Sequence, residues 1–216
     1  MLKKSLLLAT LFSLPWLPAR AADSLPAAVA AYERGDLVRA RSAFAQLAAQ
    51  GVAAADYNLA VMHLRRELPR ANDREALRHM TRAAEAGFVT AMVGLAELHE
   101  QGRAGLAVDL AQAVQWQRRA AEAGSVDAQV ALATAHYLGR GAPKDNSLAA
   151  RWYRIAAQSG DVGAMYLYAS MVEHGDGVER DLAEARYWYA AAARNGEPGA
   201  DLKAKEIDAK LAKPAS

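Results

Sequence analysis

Along most of the chain, apolar residues recur at helical spacing and polar residues fill the positions between them. Ala128, Leu132, Ala133 and His136 fall at offsets 0, 4, 5 and 8, which places them on one face of an α-helix. No stretch shows the strict alternation of a half-buried strand. The pattern predicts an all-α chain.

These stripes return with a fixed period. Five phrases end in glycine, at Gly51, Gly87, Gly124, Gly160 and Gly196, spaced 36, 37, 36 and 36 residues apart. Four residues after each stands an alanine: Ala55, Ala91, Ala128, Ala164 and Ala200. Eleven before each stands another: Ala40, Ala76, Ala113, Ala149 and Ala185. Fifteen before each comes Asp36, Asn72, Asp109, Asp145 or Asp181. Anchors that hold phase in this way define a repeat protein.

Each anchor has a physical task. The Asp or Asn can accept an otherwise unpaired backbone N–H at a helix start, worth about 1 kcal/mol. Glu75, Gln112 and Glu184 follow three residues later, so those copies predict reciprocal capping boxes. The phrase-final glycine suits the left-handed residue that closes a helix. The alanines let neighbouring helices approach closely, and Trp116, Trp152 and Trp188, each seven past the cap, are expected to fill the core beside them. Each unit reads as an antiparallel pair: helix A of about 11 residues near the post-glycine alanine, then helix B from the cap to the next glycine. So short a pair cannot bury its stripe alone, so the units must stack into a right-handed α-solenoid with one shared core.

The expected organisation is an N-terminal helix pair over 22–54, four repeats over 55–90, 91–127, 128–163 and 164–199, and a C-terminal helix and tail over 200–216. That last helix carries Ala200, Ala204, Ile207 and Leu211 on one stripe, with Lys203, Lys205, Glu206, Asp208 and Lys210 opposite, as a solvated cap requires. Lys213 to Ser216 is expected to fray.

Residues 1–21 have the layout of a cleaved signal peptide: Lys3 and Lys4, an uncharged run from Ser5 to Ala19, then Ala19-Arg20-Ala21. A membrane-spanning helix would need about 20 apolar residues without Pro15 and Pro18 near its end. Cleavage predicts an exported, periplasmic or secreted protein with no stable membrane insertion. It also changes the charge. The 216-residue chain has 26 Lys and Arg against 24 Asp and Glu, a formal +2, whereas loss of Lys3, Lys4 and Arg20 leaves −1. Nucleic acid, which needs a concentrated basic face, is not an expected partner. The absence of cysteine rules out disulfides and thiolate chemistry.

Candidate chemistry is sparse. No serine–lysine pair, zinc-protease helix, nucleophile elbow or phosphate loop is present, so neither catalysis nor a cofactor is expected. His63, His99 and His136 lie eight residues into successive A helices. Helices pack about 8–10 Å apart, too far for such a ladder to converge on one ion at about 2 Å, so packing is expected instead. Arg65-Arg66 and Arg118-Arg119 are expected on solvated faces.

The candidate interaction surface comes from helix geometry. If offsets 0, 4 and 8 face the core, offsets 2 and 6 point away: Tyr57, Val61, Val93, Glu97, Val130, Thr134, Tyr166 and Ser170. This row either faces a ligand or touches the neighbouring unit, and solvent accessibility decides between them.

Gly139-Arg140-Gly141-Ala142-Pro143-Lys144-Asp145, then Ala149, Trp152-Tyr153 and the phrase ending at Gly160, resemble the consensus of Sel-one-like repeats, relatives of the tetratricopeptide repeat. Gly175-Asp176-Gly177 with Asp181 and Trp188-Tyr189 is similar. The unit before has Gly102 and Gly105 with one inserted residue, and the unit before that has Arg66, Leu68 and His79 at the glycine and tryptophan positions. Ala31 to Asp36 resembles an ordinary tetratricopeptide turn. The resemblance implies that A helices line a concave groove and that the function is partner binding: an adaptor, assembly scaffold or inhibitor that takes a protein or peptide in the bacterial envelope. Two alternatives are β-lactam binding or hydrolysis, known for exported relatives that carry a cysteine pair in each repeat, and polysaccharide binding in the same groove.

Overall fold

The structure, a computed structural model, describes residues 24–212; the expected signal peptide and the frayed tail lie outside them. Eleven helices follow one another in the described chain, and no strand occurs among the described residues. The A helices are α1 (Leu25–Glu33), α3 (Ala53–Leu64), α5 (Val89–Gln101), α7 (Val126–Leu138), α9 (Val162–His174) and α11 (Ala200–Leu211). The B helices are α2 (Leu37–Ala49), α4 (Asp73–Glu85), α6 (Leu110–Glu122), α8 (Asn146–Gln158) and α10 (Leu182–Arg194). Each helix packs on the next along the chain, which gives an α-solenoid.

All five anchor carboxylates or amides cap a B helix. Asp36, Asn72, Asp109, Asp145 and Asp181 accept from the backbone N–H of Arg39, Glu75, Gln112, Leu148 and Glu184 at 2.9–3.1 Å. The reciprocal half of the expected capping boxes does not form. The cap residues' own N–H groups turn back to helix A, where His99, His136 and Val172 carbonyls accept from Asp109, Asp145 and Asp181. The carbonyls left unpaired at the end of an A helix thereby satisfy the start of the following B helix. Glu184, released from capping, instead accepts from the Tyr168 hydroxyl at 3.0 Å.

The A–B loops explain their glycines unequally. Gly141 (φ +74°) lies against the backbone of Leu110, and Gly177 (φ +71°) against that of Asn146. A Cβ would sit 2.3 Å from the Leu110 carbonyl oxygen or 2.2 Å from the Asn146 carbonyl carbon, so these glycines let each loop rest on the preceding B helix. Gly105 meets nothing within 4 Å and serves only its left-handed backbone. The inserted residue of that loop is absorbed by Ala104, also left-handed at φ +55°. In the divergent loop Arg66 keeps the turn at φ +59° without being glycine, and its guanidinium pairs with Asp73 at 2.7 Å. Leu68, at the second glycine position, is buried in the N-terminal core.

Helix A packs as its stripe predicts: Ala128, Leu132, Ala133 and His136 are all buried. The aromatics divide differently from expectation. Tyr153 and Tyr189 are sealed inside, whereas Trp116, Trp152 and Trp188 are only half-buried. The residue seven past the cap lies at the edge of the buried stripe, and in the last two full repeats the next residue, Tyr153 or Tyr189, turns fully inward. Trp152 packs against both the central and the C-terminal core, and so links them. In the last helix Ala200, Ala204 and Ile207 are buried, but Leu211, at its C-terminal end, is exposed.

Candidate functional site

The offset-2 and offset-6 row is neither a free face nor a sealed seam. Tyr57, Val61, Val93, Val130, Thr134, Tyr166 and Ser170 are half-buried, and Glu97 is exposed. Tyr57 meets Phe88, the residue that caps α5, with ring centroids 5.3 Å apart, and Tyr166 meets Tyr189 edge-on at 5.1 Å. Val93 and Val130 also pack against the core clusters. Much of the row therefore belongs to packing within and between repeats.

Two of its polar members lie beside the buried tyrosines. The Thr134 hydroxyl donates to the Val130 carbonyl at 2.8 Å, so the Tyr153 hydroxyl, also 2.8 Å away, donates to Thr134. Ser170 occupies the corresponding place near Tyr189. Tyr189 also donates to Glu173 at 3.1 Å. Burial pushes the pKa of both tyrosines up, and the Glu173 carboxylate adds to the effect at Tyr189, so both hydroxyls remain protonated donors.

What stays open on the row is its middle. Val93 and Glu97 border a cavity of about 170 Å³ between α5, α6 and α7, where Asp127 completes an acidic rim. Thr134 lines a neighbouring cavity of about 160 Å³ with Glu100 and Leu138. Both are smaller than the roughly 300–1,000 Å³ of small-molecule sites and fit single side chains.

The histidine ladder does not converge. His136 donates from Nδ1 to the Pro143 carbonyl at 3.3 Å, His63 accepts from the Asn72 N–H at 3.3 Å, and His99 presents a carbonyl to Asp109. No metal-binding cluster of three or more His, Cys, Asp or Glu occurs among the described residues. The arginine pairs also have local tasks: Arg65 donates to the Tyr32 hydroxyl, and Arg119 lies 4.4 Å over the Trp116 ring.

Sequence reasoning did not anticipate a buried ionic network in the first Sel-type unit. Asp56, on α3, is 2% exposed. It accepts from Arg82 Nε at 2.7 Å, with a second Arg82 nitrogen 2.6 Å away, and lies 2.7 Å from His79 Nδ1. Arg78 approaches His79 Nε2 at 3.0 Å. A guanidinium can only donate, so Nε2 accepts and Nδ1–H donates to Asp56, which fixes one neutral tautomer. The signal was a departure from the period: His79 stands in the tryptophan position, and Asp56 where later repeats have Met92, Gln129 and Met165.

The family model for the Sel1 repeat matches residues 53–88, 89–125, 126–161 and 162–197, well over half of the chain. The chain belongs to the Sel1 repeat family. The matched units begin two residues before the alanine-based boundaries and coincide with helix A. A Sel1 repeat protein from Oxalobacter formigenes has a similar structure, with 30% identity and a TM-score of 0.70 over 79% of this chain and 49% of that one. The chain thus spans about half the length of that relative. Two further structures align at 26% identity. One is a protective antigen of uropathogenic Escherichia coli with an SLR fold (TM-score 0.47, 87% and 49% covered). The other is a Sel1 repeat protein described as putative from Klebsiella pneumoniae (TM-score 0.46, 85% and 90% covered). No curated protein matches the chain. Sel1 repeat proteins are generally non-catalytic scaffolds for protein–protein interaction.

Proposed function

We propose that this Sel1 repeat chain is an exported, non-enzymatic scaffold of the bacterial envelope that holds a protein or peptide partner along its A helices. One observation carries the reading: Val93 and Glu97 border a side-chain-sized cavity on the A-helix row, apolar at its base and acidic at its rim. Such a cavity suits an apolar anchor flanked by polar or basic groups, the pattern of helix and peptide recognition. The cavities of the row are too small for a metabolite. The N-terminal basic and apolar segment ending at Ala21 supports export.

The test compares co-purification from envelope extract by the natural protein and by a Val93→Arg/Glu97→Arg variant. A specific protein retained by the first and lost by the second supports the reading. Identical captured sets would overturn it. N-terminal sequencing of the exported protein should begin at Ala22, and an intact Met1 terminus would remove export from the account.

A further inference from the structure

A concentration of positive charge lies away from Val93 and Glu97, in the groove that the B helices α2 and α4 form over α3. A cavity of about 480 Å³ opens there, ringed by Arg41, Arg70, Arg78 and Arg82 and floored in part by Leu59 and Leu68. Four guanidiniums face one lining carboxylate, Glu75. Arg78 is held by Glu75 at 2.6 Å, and Arg82 by Asp56 and the Ala48 carbonyl. Arg41 and Arg70 lie exposed at the rim, and neither guanidinium is in an ion pair with a described residue. The positive field is felt within the groove: His63 is held below the usual imidazole range by burial first, and further by Arg41 and Arg78, with Glu75 opposing.

Stability does not account for this assembly. Three later repeats fill the His79 position with tryptophan, and well-packed apolar residues serve a core at least as well as a buried charged network. A departure of this kind, confined to one unit and coincident with a cationic cavity, is expected at a functional site.

We infer that the α2–α4 groove is a carboxylate-recognition site for an acidic segment of a protein partner. Arg41 and Arg70 pair with its Asp or Glu side chains. Guanidinium forks match carboxylates in two-point geometry, while Arg78 and Arg82, already braced, contribute field without having to be ordered on binding. This site rests on the scaffold reading but shares no lining residue with the Val93 and Glu97 cavity, so each can fail alone.

The experiment is fluorescence anisotropy at low ionic strength with a labelled peptide of alternating Glu and Leu. The natural protein should bind it saturably, and Arg41→Glu/Arg70→Glu should weaken binding by about tenfold or more. Arg151→Glu/Arg194→Glu, the same charge change on exposed positions of α8 and α10, should bind within about twofold of the natural protein, and a peptide with Gln for Glu should not bind. Absence of saturable binding, equal weakening in the two double variants, or binding of the Gln peptide would overturn the site. Co-purification through the Val93 and Glu97 row, measured on the same proteins, reports separately on the scaffold reading. Circular dichroism melts establish that the variants fold.

Discussion

Lys210 on the last helix places its ammonium 2.6 Å from a carboxylate oxygen of Glu173, thirty-seven residues earlier on α9. Glu173 is 4% exposed, and its other oxygen takes the Tyr189 hydroxyl. The pair ties α11 to α9 of the preceding repeat.

That tie predicts a pH dependence. Burial alone would raise the Glu173 carboxyl, but Lys210 and Tyr189 outweigh it and hold it below the usual carboxylate range. A carboxyl depressed in the folded state stabilises the fold above its unfolded value, near 4.3, and loses that contribution as pH falls through the folded value. Thermal melts should show natural protein well above Glu173→Gln at neutral pH, with the gap closing on acidification from about pH 4 downward. Lys210→Met should cost about 1–2 kcal/mol at neutral pH, below the cost of breaking a fully buried pair because the lysine is half-exposed. A gap that widened in acid would contradict the assignment.

Loop glycines should differ in their response to alanine. Gly105→Ala meets open space and should cost only the left-handed backbone penalty, about 1–2 kcal/mol. Gly141→Ala and Gly177→Ala add a collision with the backbone of the preceding B helix and should cost at least about 1 kcal/mol more. Denaturant titration measures all three, and equal losses would mean that the loops do not rest on the neighbouring repeat.

The aromatic layer gives a third comparison. Tyr189→Ala empties a sealed position and should cost about 3–5 kcal/mol. Trp152→Ala removes a half-buried ring and should cost about 2 kcal/mol, while Lys205→Ala, on an exposed ion pair with Asp201, should leave the melt unchanged. A Trp152 variant more damaging than Tyr189→Ala would reverse the reading of which aromatic forms the core.

The buried network predicts opposite outcomes for single and paired changes. Asp56→Ala orphans Arg82 and His79 and should destabilise by about 3 kcal/mol. Asp56→Met with His79→Trp restores the composition of later repeats and should be neutral or stabilising, while altering the α2–α4 groove. Urea unfolding of both variants distinguishes a functional network from a structural one.

The period carried most of this architecture. Gly51, Asp109, Ala128 and their equivalents perform one local task in every unit, so a single chain displays each signal repeatedly. Depth of burial was harder to read, because helical spacing assigns a face but does not separate Trp152 at its edge from Tyr153 inside it. The destination of the Asp109 and Asp145 N–H groups depends on how each loop folds back on helix A. Thr134 lies on the predicted row, yet its hydroxyl turns to Tyr153, a relation between helices that is absent from the spacing. Asp56 and His79 carried a trace as departures from the repeat, but their contact across two helices needed the fold.

The central claim is that the A-helix row holds a protein partner. Its most direct test is a photo-crosslinking amino acid placed at Val93, with a second protein carrying it at the exposed Glu122 on helix B, each expressed in the native cell. The account predicts a discrete protein adduct from position 93 and none of the same mass from position 122. Adducts only from position 122, or the same adducts from both, would contradict it.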